Sequence, residues 1–417
     1  MTRETIAKIV KASGVSAGEL ILIHFWGENA DKTVADQFAA AVAALGASPV
    51  VLQQARSVNR EIFAGAKESC FDERYFGLFS KFDAVLDVFA CQPIVLGYEL
   101  EDAQMELYRR YISQLFEKLV TCRRFAQIRI PTEANAAESG LDLQEYIRRM
   151  DRAYDVDYAA VRAACEHAAA QFAGASRVAV RTGEGCVLQL ELTGRTWLTD
   201  AGDGDLPCGE IYIAPVEAKT NGDVLFGTLY LEGEAYTDVT LQITNGEITG
   251  SSCEAVAAHF AGLPRENRIV CELGPGMNPN VTDLCGYTLL DEKMAGTFHI
   301  AVGANTIFGG ENRATDHGDS VGRGEAELLA RPERKPQKWT AGWKKRSAGA
   351  AGAARPCVPT TARMRQHLKR SASTSMTVSA RSFRLPKSCW HEARRATGAS
   401  NRNKNPCPVR SPGRGSL

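Results

Sequence analysis

The sequence predicts an α/β fold in two folded parts. These are an N-terminal open parallel-sheet domain over residues 1–140 and a mixed, mainly antiparallel α+β domain over 175–320, joined by a helical connector at 141–174. Three observations predict it. Through the first 140 residues, continuous apolar runs alternate with helix-period segments, the βαβ rhythm of a parallel sheet covered by helices on both faces. After Gly174 the apolar runs shorten, alternate with polar residues and are separated by Gly, Asn and Asp, as in antiparallel strands joined by tight turns. Past residue 320 neither pattern persists.

Taken in order, Glu4 to Ser13 is a short amphipathic helix with Ile6, Ile9 and Val10 on one side. Leu20 to Phe25 is a continuous apolar run, expected of a strand buried on both faces. Thr33 to Leu45 is an Ala-rich helix stopped by Gly46, and Pro49 to Leu52 is the next strand. Phe82–Phe89 and Phe125–Ile130 supply two more. Leu141 to Phe172 is helical and carries Tyr146, Met150, Tyr154, Val161, Cys165 and Ala169 as its apolar positions, bridging the two domains. Arg177–Arg181, Cys186–Leu192, Val224–Leu231 and Val239–Ile243 are short strands, with a hairpin turn at Asn245-Gly246.

The formal net charge is zero, but it is divided unevenly. Residues 321–417 hold 22 basic and 4 acidic residues, which leaves 27 basic and 45 acidic in the first 320. The 12 cysteines form no CxxC pair, so neither a structural zinc motif nor a disulfide framework is indicated, and a reducing compartment is expected. The N-terminus has no apolar signal core, and no apolar run is long enough to span a bilayer. A cytoplasmic location and no membrane partner are the expectation.

Candidate chemistry concentrates in three segments: Leu206–Glu210, Cys271–Pro279 and Asp291–Asp319. Glu210 stands at the mouth of a strand, where a carboxylate is either solvated or free to reach a metal or act as a base. Glu272 ends an apolar strand, so its charge needs a partner: a metal, or Arg265, Arg268 or a backbone amide. His299 is flanked by apolar residues, a setting in which a histidine is more often a satisfied core residue than a ligand. His317 and Asp319 form an HxD pair, whose side chains share one face of an extended segment. No P-loop or GxGxxG after the first strand competes, and Gly202–Asp205 reads as a turn without the later ligands of a calcium loop. His24 and His167 have no evident nucleophile partner.

The ordered set LPxGE then AP, ELGxGxNP, DEK with GTxHIAxG, and finally GG and HxD resembles the thermophilic aminopeptidase T (leucyl aminopeptidase, peptidase M29) family over residues 1–319. The resemblance implies a cytosolic, dimeric metalloaminopeptidase acting on peptides. It implies two divalent ions (Zn, Co, Mg or Mn) held by Glu210, Glu272, His299, His317 and Asp319. Glu272 would be the bridging carboxylate, and Glu210 either a ligand or the base. One position departs: the family's Tyr seven residues after the motif His is Thr306 here, with Phe308 the nearest aromatic. A branch of the same superfamily resembles dihydroxypyridine dioxygenases, which hold one Fe(II) with two His and one carboxylate. There the Glu272 position would be His and the His299 position apolar, so this chain sides with the peptidases.

The tail prompts a third reading. Its charge balance of +18 would suit sequence-independent contacts with nucleic acid. Yet it contains no Asp, Ile or Tyr and one Phe, Phe383. Residues 321–417 are therefore expected to be disordered or translated out of frame, because the family's closing strand should begin there. The expected consequence is an uncovered sheet edge and a poorly soluble or weakly active product.

Overall fold

The computed structural model describes residues 1–91, 100–330 and 338–339. The first sheet uses the apolar runs as read. Helix α1 (Arg3–Ala12), strand β1 (Leu20–Trp26), helix α2 (Lys32–Ala44) and strand β2 (Ser48–Gln54) come first. They are followed by helices α3 (Arg56–Gly65) and α4 (Glu73–Gly77), strand β3 (Ala84–Phe89), helix α5 (Asp102–Leu119) and strand β4 (Arg124–Arg129). The strands pair parallel in the order β2-β1-β3-β4. Both faces of β1 and β3 are buried because helices cover both. Ile6, Ile9, Phe38 and Val42 pack with Ile21 and Ile23 on one side. Phe63, Tyr108 and Leu115 pack with Leu22 and Val85 on the other.

One polar row crosses this core. His24, Asp87 and Gln127 are in register on β1, β3 and β4. His24 Nδ1 lies 2.8 Å from Asp87 Oδ1, which also accepts from Trp26 Nε1 at 3.0 Å, while Gln127 Nε2 lies 3.3 Å from Oδ2. His24 thus has a carboxylate partner that its local sequence did not reveal.

The connector is two helices, each seated in a different core. After α6 (Glu133–Ser139), helix α7 (Leu143–Tyr154) is capped by Asp142 and helix α8 (Tyr158–Phe172) by Asp157. The Asp157 cap forces the break, since its side chain accepts from the amides of Ala159 and Ala160. Tyr146, Met150 and Tyr154 of α7 join the first core. Val161, Cys165 and Phe172 of α8 join the second.

Strands β5 (Arg177–Gly183) and β6 (Cys186–Glu191) begin the antiparallel part. Three short strands follow, β7 (Leu198–Asp200), β8 (Asp205–Leu206) and β9 (Glu210–Tyr212). Here the chain crosses the sequence-level boundary: β8 pairs parallel with β4 and extends the first sheet. The long hairpin β10 (Asn221–Leu231) and β11 (Glu234–Thr244) leads to β12 (Glu247–Ser251) through Asn245 and Gly246. Both turn residues have positive φ, 51° and 82°, which Asn and Gly tolerate best. Helix α9 (Glu254–Ala261), strand β13 (Val270–Pro275), the short helix α10 (Thr288–Asp291) and strands β14 (Phe298–Gly303) and β15 (His317–Gly322) complete the site-bearing segment.

Regular structure does not stop at 320, which corrects the expectation for the start of the tail. Strand β15 runs to Gly322, β16 (Glu325–Ala330) pairs antiparallel with β5, and β17 (Lys338–Trp339) pairs with β16. The physical reason is that β5 carries backbone donors and acceptors on its outer side, and any extended segment arriving there satisfies them. The rest of the tail, with the disorder, out-of-frame and nucleic-acid expectations attached to it, lies outside the described residues. No described helix is long and apolar enough to cross a membrane.

Candidate metal centre

Strand alternation gathers the five candidate residues. β13, β14 and β15 form a three-stranded antiparallel sheet. In its register, Glu272 lies opposite Ala301 and Ala301 opposite Asp319. His299 is two residues before Ala301 and His317 two before Asp319, so all four side chains leave one face. The opposite face carries Leu273, Phe298 and Ile300 into the second core. Glu210 joins from β9, which bridges Gly276 at the end of β13. The positions facing the site residues across the sheet are small: Gly274 opposite His299, and Gly303 opposite His317. Gly274 is required there, because a Cβ would lie 2.3 Å from both Cε1 and Nε2 of His299.

The side chains form a connected cage. His299 Nε2 is 3.6 Å from Glu210 Oε2 and 3.4 Å from Glu272 Oε1. His317 Nε2 is 3.5 Å from Glu272 Oε2 and 3.6 Å from Asp319 Oδ2. The second ring nitrogen of His317, Nδ1, lies 2.8 Å from the Ala304 carbonyl, which can only accept. The Nδ1 proton is thereby held on that carbonyl, and Nε2 is turned into the cage. The surrounding acidic groups favour the charged form of both imidazoles. Burial pulls His299 down, but Glu272 and Glu210 outweigh it and raise the group to about 9. His317 is likewise pushed well above the usual histidine range: burial opposes the shift, and Cys271 and Asp319 drive it.

Three further charged groups belong to this site and were not singled out by the sequence reading. Lys293 is wholly buried, with Nζ 2.7 Å from Glu210 Oε1, 2.8 Å from Glu292 Oε1 and 3.5 Å from Asp200 Oδ2. Asp200 faces Glu210 because β7 and β9 pair them in register. Burial, partly offset by Lys293, raises Asp200 and Glu292 to about 8. Lys293 is lifted well above its ordinary value: desolvation lowers it, and Glu210, Glu292 and Asp200 overcome that. A run such as Asp291-Glu292-Lys293 normally marks a solvated surface, so its burial was invisible locally. The only signal was its place inside the DEK motif. The Gly202–Asp205 turn wraps Asp200, whose Oδ2 accepts from the Asp205 amide at 3.1 Å.

The residues fit a divalent ion. Glu210 Oε2 and His317 Nε2 are buried and make no hydrogen bond among the described residues. Ligand atoms of Glu272, His317 and Asp319 all lie within 4.8 Å of one another. Carboxylate oxygens with imidazole nitrogens suit zinc, cobalt, manganese or iron. The family model for thermophilic metalloprotease (M29) matches residues 5–323. The chain belongs to the M29 family. Membership identifies it as a metallopeptidase by family and implies a divalent metal. No curated protein matches. Among solved structures, wild-type AmpT from Thermus thermophilus is similar at 18% identity and a TM-score of 0.59, over 81% of this chain and 98% of that one. The 2,5-dihydroxypyridine dioxygenase from Pseudomonas putida KT2440 is similar at 15% identity and a TM-score of 0.53, over 78% and 93%. At these identities the likeness is one of fold.

In this M29 chain Thr306 is exposed, on the short turn Thr306–Phe308. Phe308 is buried, and its ring meets His317 edge-on at 6.0 Å and Tyr212 at 5.7 Å. The family match ends at residue 323, between β15 and β16.

Proposed function

We propose that this chain is an aminopeptidase that releases N-terminal residues from peptides with two divalent ions held by Glu210, Glu272, His299, His317 and Asp319. The observation that carries the reading is the position of Glu272. Its two oxygens face two different imidazoles, His299 at 3.4 Å and His317 at 3.5 Å, as a carboxylate shared between two ions would. The chemistry such ions would supply, held by these five residues, is a water of lowered pKa and a polarised carbonyl. The chain itself supplies the rest. Glu210 and His299 frame one side, His317 and Asp319 the other, and the apolar underside of the sheet keeps bulk water from the ligands' far face. A homodimer and a cytoplasmic location accompany the proposal through the family resemblance.

A ring-cleaving dioxygenase, which would hold one Fe(II) with two His and one carboxylate, is the alternative. One experiment separates the two. The purified full chain is loaded in turn with Zn(II), Co(II), Mn(II) and Fe(II), then given dipeptides or 2,5-dihydroxypyridine. Release of free amino acids, abolished by a chelator, is the expected result. Oxygen uptake with the pyridine and no peptide hydrolysis would overturn the proposal.

A further inference from the structure

Lys293 is fixed in place before any side chain is considered. Its carbonyl accepts from the Asn278 amide at 2.7 Å, and Asn278 itself bonds the carbonyls of Ala153 and Cys208. The ammonium therefore projects from a clamped backbone into a pocket of three carboxylates, Asp200, Glu210 and Glu292, with no exposure to water. Such an arrangement neutralises only part of the charge around it. It is also unequal in how it uses Glu210. Lys293 takes Oε1 at 2.7 Å, whereas Oε2 is buried without a hydrogen bond among the described residues and faces His299 Nε2 at 3.6 Å. A carboxylate whose task was only to balance a buried lysine would satisfy both oxygens, because an unpaired buried acceptor is costly.

We propose that Lys293 is a positioning residue for the metal centre: by occupying Glu210 Oε1 it fixes the carboxylate so that Oε2 alone is presented to an ion. Asp200, in register with Glu210, and Glu292 hold the ammonium from its other sides. The inference rests on the reading of Glu210 as a ligand, and the test separates the two.

Metal affinity of the full chain is measured by competition with a chromogenic chelator, together with the visible spectrum of the Co(II)-loaded protein. Wild type, Glu210→Gln, Lys293→Met and the double variant are compared. Lys293→Met is expected to weaken the affinity about 10-fold and to alter the Co(II) bands. In the Glu210→Gln background the same change should cost less than about 2-fold, since the two act as one unit. If Lys293→Met does not fold, Lys293→Met/Glu292→Gln removes one charge of each sign and carries the same comparison. A folded Lys293 variant with wild-type affinity and spectrum, beside a weakened Glu210→Gln, overturns the role of Lys293 alone. Equal losses in both backgrounds also overturn it. Wild-type affinity in Glu210→Gln removes Glu210 from the ligand set, and the role of Lys293 with it.

Discussion

Gly274 shows how a single missing side chain shapes the centre. It faces His299 across the β13–β14 pair, and the imidazole lies where a Cβ would stand. Gly274→Ala is therefore expected to push the ring away from Glu210 and Glu272. The cost should be on the order of 1–3 kcal/mol in stability and about 10- to 100-fold in metal affinity. Thermal unfolding and isothermal titration with Zn(II) check the two effects; an alanine variant with unchanged affinity would mean that His299 is not held by this contact. The same scale contains the clearest limit of local reading. In the sequence Glu272 had an equally good structural explanation, and His299 had a better one as a core residue. Strand register adds what neither local segment contains, setting Glu272, His299, His317 and Asp319 on one face. Lys293 had no such signal, because nothing in Asp291-Glu292-Lys293 announces a fully buried lysine.

The segment from Ala304 to Asn312 touches the cage through the Ala304 carbonyl and the Phe308 ring, both on His317, and Glu217 anchors it. Glu217 Oε1 accepts from Asn305 Nδ2 at 2.9 Å and from the Glu311 amide at 2.6 Å, while Oε2 accepts from Arg195 at 3.0 Å. Burial would raise the Glu217 carboxyl, but the Glu311 amide, Asn305 and Arg195 outweigh it and hold it below 4.5. The folded pKa is depressed, so this anchoring is present above pH 4.5 and is lost as pH falls through the folded value. Glu217→Gln is expected to lose about 1–2 kcal/mol at neutral pH, and the difference from wild type should shrink in acid. Hydrogen exchange at the Glu311 amide, followed at pH 7 and in acid, reads this directly. Equal protection in both proteins at neutral pH would remove the anchor. Glu217 lies 88 residues from Asn305 in sequence, so no local pattern connects them.

For the molecule as a whole, the late strands decide whether the second sheet is finished. β16 covers β5 from Glu325 opposite Arg181 to Ala330 opposite Arg177. A chain ended after Gly324 is expected to expose that edge, lose soluble yield and melt several degrees lower, at about 2–4 °C per kcal/mol lost. Calorimetry on this chain and the full chain checks this, and indistinguishable melting of the two would show that β16 contributes nothing. The sequence by itself determined the parallel first sheet, the antiparallel second part, the Asn245-Gly246 turn and the ordered motif set that marks the M29 family. Each of these is written in local periodicity or in fixed spacing, which backbone geometry converts directly into structure. Only the tertiary structure decided the fusion of β8 to the first sheet, the division of the connector between two cores, the pairing of His24 with Asp87 and the burial of Lys293 among three carboxylates. Those depend on segments far apart in the chain. Their energies come from desolvation and charge pairing, which exist only after the segments have met.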